Sequence, residues 1–78
     1  MNEQAQAWFS LSQTQRRLAW DYRRFAIEDE QNGNLERFRL NRDRSDRLWR
    51  SAKWSFQRLK VWRFVEQQAE QEHRSLAA

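Results

Sequence analysis

The chain has no cysteine, no proline and one glycine among its 78 residues. Without thiols there are no disulfides, no thiolate metal sites and no thiol nucleophile, and the expected location is the cytoplasm. Without proline, and with Gly33 the sole glycine, nothing interrupts a helix over long stretches. Apolar runs are short: none approaches the roughly eighteen residues of a membrane span, so no membrane association is expected. Met1-Asn2-Glu3-Gln4 carries neither the basic nor the apolar segment of a signal peptide, so none is expected.

Catalytic groups are equally sparse. His73 is the one histidine, in the polar tail Glu66–Arg74. Glu66, Glu70 and His73 have helical spacing, but Arg74 and open solvent argue for a solvated helix end over a metal site. Asp43 and Asp46 stand three apart, as an acid–base pair could, yet arginines flank both at ion-pair spacing. There is no Gly-rich phosphate loop, nucleophile elbow or ligand cluster. The expectation is a protein that is not an enzyme and holds no metal or other cofactor.

What is present is charge and aromatic surface. Charged residues make up 33% and aromatic residues 14% of the chain, with five Trp and five Phe, an aromatic content too high for a disordered polyelectrolyte. Gln31-Asn32-Gly33-Asn34 is the one stretch with turn chemistry: Gly33 or an Asn takes the left-handed conformation that ends a helix, and Asn34 caps the next. The sequence therefore predicts a single all-α domain over 1–78, an antiparallel two-helix hairpin with helices over about 3–30 and 35–75 and a turn at 31–34. A first helix starting at Ser10, where Ser10 and Gln13 have capping-box spacing, is the weaker alternative.

Helical spacing gives each helix an inner stripe: Trp8, Leu11, Leu18, Tyr22 and Phe25 on the first; Phe38, Ser45, Trp49, Ala52, Phe56 and Leu59 on the second, with Leu48 at its edge. Folding at Gly33 sets Phe25 near Leu40, Leu18 near Arg47 or Leu48, and Trp8 near Phe56 or Gln57. The second helix, about 60 Å against about 40 Å for the first, then outruns its partner from about Lys60, where the apolar run Val61-Trp62-Arg63-Phe64-Val65 begins. Trp20, Trp54 and Trp62 do not fit inside one hairpin. Trp54, Val61, Trp62, Val65 and Ala69 are accordingly the expected oligomer interface, in a coiled-coil-like homodimer or higher bundle.

Charge is distributed unevenly. Residues 1–36 carry four basic residues and six acids; residues 37–63 carry ten basic residues and two acids, a balance of +8; residues 64–78 return to −2. Thirteen of the fifteen basic residues are arginine, whose fork matches phosphate and carboxylate oxygens. Arg39, Arg42, Arg50, Lys53 and Lys60 fall near one helical line, broken by Asp46 and Gln57. They are the expected contacts to an acidic partner, either DNA or RNA held by its backbone or an acidic protein. The alternative is a structural or assembly module that dimerises or binds another protein through its aromatic stripes. Its arginines would then only solvate the surface, paired as Asp43 with Arg39 and Arg47 and Asp46 with Arg42 and Arg50, their stems covering aromatics.

Overall fold

A computed structural model describes residues 2–77. It consists of α1 (Glu3–Gln31) and α2 (Leu35–Ala77), with no strand among the described residues. The hairpin is all-α and antiparallel, its second helix the longer, and the helix bounds lie within two residues of those expected at every end. α2 alone, 43 residues, accounts for most of the 68 Å long dimension.

Each end has a chemical cause. The Asn2 side chain accepts the Ala5 N–H at 2.8 Å, which fixes the start of α1 at Glu3 and leaves Ser10 inside the helix. At the turn Gly33 takes φ +74°, Gly33 N–H donates to Glu30 O and Asn34 N–H to Asp29 O at 2.8 Å, the paired closure that satisfies the last carbonyls of a helix. Asn34 also accepts the Arg37 N–H through its side chain at 3.3 Å, so one residue ends α1 and caps α2. The acidic end of α1, adverse to its own dipole, finds compensation from α2: Asn41 donates to Asp29 at 2.7 Å and Arg37 lies 4.0 Å from it.

The seam is built differently from the expected stripes. Ala5, Ser12, Ala19 and Ala26 are buried at seven-residue intervals on α1, facing Asn41, Ser45, Ala52, Ser55 and Leu59 of α2. Leu11, Leu18, Phe25 and Phe56, expected inside, remain 42%, 38%, 43% and 46% exposed. Each is the immediate sequence neighbour of a buried small residue (Ser12, Ala19, Ala26 and Ser55), so the seam of α1 is rotated by one position, about 100° on a helix, while α2 buries Ser45, Ala52 and Leu59 of its expected stripe. Close approach explains the choice. The Cα atoms span 13 × 12 Å across the hairpin, which fits two Cα cylinders of about 2.3 Å radius only if their axes lie about 8 Å apart. At that distance Ala and Ser suit the contact, and Leu59 is the one large aliphatic side chain buried among the described seam residues.

The rest of the reading survives in part. Trp8, Tyr22, Phe38, Leu48 and Trp49 are half-buried beside the seam, and Ser45, Ala52 and Leu59 are buried. The polar seam residues fix register instead of leaving groups unpaired: Ser45 donates to Ala19 O and Ser55 to Gln15 Oε1, both at 2.7 Å. At the open end Asn2 N–H reaches Glu66 Oε2 at 3.2 Å. α1 therefore accompanies α2 as far as Glu66, not Lys60; Trp62 lies half-buried within the hairpin, and the overhang begins after Glu66.

Candidate acidic-partner interface

The five cations singled out on α2 lie on its outer surface, and among the described residues four of them make no ion pair. Arg39, Lys53 and Lys60 recur at intervals of seven or fourteen residues, which keeps them on one line; Arg42 stands nearer the seam and Arg50 farther from it. The described residues offer Arg39, Arg42, Arg50 and Lys53 no ion-pair partner within 4.0 Å. Of the four pairs expected of a structural module, Asp43–Arg47 alone forms among the described residues, at 3.1 Å. Asp46 takes neither Arg42 nor Arg50. The expectation of an ion-paired surface is to that extent corrected.

Aromatic rings hold two of the five in place of carboxylates. Arg42 lies over Phe38 at 5.4 Å and Lys60 over Phe56 at 5.1 Å. Arg16 sits over Trp49, Arg23 over Trp20, Arg44 over Tyr22, and Arg58 over both Trp8 and Trp54. Such contacts occur roughly once per 70–80 residues in proteins; six cations make them in this one short chain. A ring orders the side chain but does not neutralise it. The guanidinium keeps its charge and its N–H edges, and part of the ordering entropy of binding is already spent.

The structure adds two residues that the sequence reading left out. Arg16 and Arg23 belong to the acidic half of the chain, yet the fold carries them to the basic side of α2. Two hollows run along that side. One, of about 360 Å³, is lined by Arg23, Ile27, Phe38, Arg42, Asp46 and Trp49 among others. The next, of about 280 Å³, is lined by Arg16, Trp49, Lys53, Phe56 and the seam residues Ser12 and Ala52. Trp49 belongs to both, so they form one groove with an apolar floor and cations from both helices on its rims. Asp46 is the one acid lining either hollow. The seven-residue interval from Arg16 to Arg23 is the signal that could have placed them together, since it matches the interval of the seam residues beside them.

The expected oligomer residues fall on other parts of the surface. Trp54 meets Trp8 edge-on at 5.3 Å, and Trp20 meets Trp49 at 6.0 Å. Trp54 and Trp20 thus each touch a ring of the other helix while staying more than half exposed. Val61 and Val65 are exposed, Trp62 is half-buried, and Ala69 lies on the overhang with Asn2, Val65, Glu66, Glu70, His73 and Arg74 around a shallow recess of about 420 Å³. Among the described residues no three His, Cys, Asp or Glu side chains gather as metal ligands, and no helix is long and apolar enough to cross a membrane.

No protein-family model matches the chain, and neither a curated protein nor a solved structure is significantly similar to it.

Proposed function

We propose that this protein is a small, non-enzymatic binding protein that grips an acidic partner through its cationic groove. The five α2 residues Arg39, Arg42, Arg50, Lys53 and Lys60 act with Arg16 and Arg23 of α1. The observation that supports this most is the convergence of uncommitted or ring-held cations from both helices on one side with a single carboxylate among them. A polyanion is the partner this chemistry fits. Nucleic acid offers closely spaced phosphates to an Arg-rich rim, and the absence of a groove-reading motif implies backbone contact with little sequence preference. The functional unit is a homodimer, each chain's helices paired as an antiparallel coiled coil.

Titration of a fluorescently labelled duplex at about 50 mM salt, where surface charges are weakly screened, tests the reading. Binding that weakens as salt rises supports it. Absence of binding to both DNA and RNA duplexes under those conditions contradicts it.

A second reading has its own observation in favour. The exposed Trp54, Val61 and Val65 would suit a structural or assembly module that associates through aromatic and aliphatic surface alone. That reading expects self-association without polyanion binding, and the same titration separates the two.

A further inference from the structure

The side of the hairpin opposite the groove is rich in exposed aromatic and aliphatic side chains. Trp8 against Trp54, Arg58 over both rings, Arg44 over Tyr22, and Tyr22 against Phe25 place these residues together on that side. Leu11, Leu18 and Phe25 form a row at seven-residue intervals, and Val61 stands seven beyond Trp54, with Val65 one turn farther. All six are more than a third exposed. The arginines on this side are ordered, Arg44 and Arg58 over rings and Arg47 by Asp43.

Area decides what covers this face. A folded monomer of 9.7 kDa exposes roughly 5,100 Å². This chain exposes 6423 Å², a surplus of about 1,300 Å², against the roughly 800 Å² that each partner contributes to a standard stable interface. The interior cannot substitute for the missing burial, because Leu59 is the one large aliphatic side chain among the buried residues. A hairpin so poor in core gains stability from a partner on this face, and the partner always present with a chain is another copy of it.

We propose that two copies associate through this face, bringing Leu11, Leu18, Phe25, Trp54, Val61 and Val65 of each into a shared four-helix core. The proposal rests on the self-association read above and names its surface. It extends the expected interface from α2 onto α1, and it turns the two cationic grooves outward on opposite sides of the dimer.

Sedimentation at low micromolar concentration tests it on three full-length chains. The native protein should sediment as a dimer, and Leu18→Glu with Val61→Glu should raise the dissociation constant at least a hundredfold. Phe9→Glu with Ile27→Glu, Ile27 lining the groove and Phe9 standing seven residues before Arg16 on the same line of α1, should leave the dimer intact. A monomeric native protein, or a dimer lost by the groove-side pair and kept by the other, overturns the proposal. Because the Leu18/Val61 variant could lose helix along with the dimer, the melting temperature of the native chain is measured as well. It should rise with protein concentration, and a concentration-independent value overturns the proposal. Duplex titration of the same samples is read separately, so the dimer face can fail while groove binding stands, or the reverse.

Discussion

The Ser55 hydroxyl donates to Gln15 Oε1 at 2.7 Å, joining residues 40 positions apart in the chain. Ser55 is almost completely buried, so this bond belongs to the seam and not to the surface. Gln15→Leu leaves the hydroxyl without its acceptor in a tight space and should destabilise the chain by about 1–3 kcal/mol. Ser55→Ala removes the donor and leaves the half-exposed Gln15 free to turn to water, so it should cost less. Denaturant unfolding monitored by circular dichroism gives both values.

Seam spacing makes a sharper contrast. Ala19 is fully buried where the helices approach, while its neighbour Leu18 is 38% exposed. Ala19→Leu should destabilise by about 1–3 kcal/mol or more through overpacking. Leu18→Ala should fall below the roughly 2–5 kcal/mol typical of a buried leucine, measured on a Val61→Glu/Val65→Glu background to exclude the interface. A larger loss at Leu18 than at Ala19 would mean that the seam is rotated back to the large apolar residues.

Gly33 has open space where a Cβ would stand, yet its φ of +74° is unfavourable for any L-residue with a side chain. Gly33→Ala should therefore cost about 1–2 kcal/mol from backbone conformation alone, and Gly33→Asn less, since Asn tolerates the left-handed region. Thermal melts of the two variants separate backbone strain from steric clash: a clash would rank them by size, with Asn the worse.

These contrasts show what the sequence makes legible. Gly33 and the asparagines around it mark the turn, and the absence of proline leaves both helices whole, so the hairpin and its unequal arms can be read directly. The seam cannot be read from hydrophobicity, because its signal is the smallness of Ala5, Ser12, Ala19 and Ala26 rather than the size of Leu11, Leu18 and Phe25. The same one-position rotation hides half of the candidate groove. With the seam placed on Leu18, Arg16 and Arg23 look like surface residues of an acidic helix; with it placed on Ala19, they line the groove beside Arg42 and Lys53.

The proposed dimer, with its grooves facing outward, is bivalent. Two duplexes labelled with a donor and an acceptor dye should give energy transfer when mixed with the native protein, and the Leu18→Glu/Val61→Glu variant should bind single duplexes without bringing them together. Equal transfer from both proteins would place both duplexes on one chain.

The central claim is that cations of both helices serve one binding surface. The most direct measurement is the dependence of duplex affinity on salt for the native protein and for Arg16→Gln with Arg23→Gln, two residues outside the basic segment of the sequence. Each phosphate contact contributes about 0.9 to the slope of log affinity against log salt. The account predicts that this double variant keeps its helix content and its dimer while its slope falls by about 1–2. A slope identical to that of the native protein, with affinity unchanged, would show that α1 takes no part and would contradict the claim.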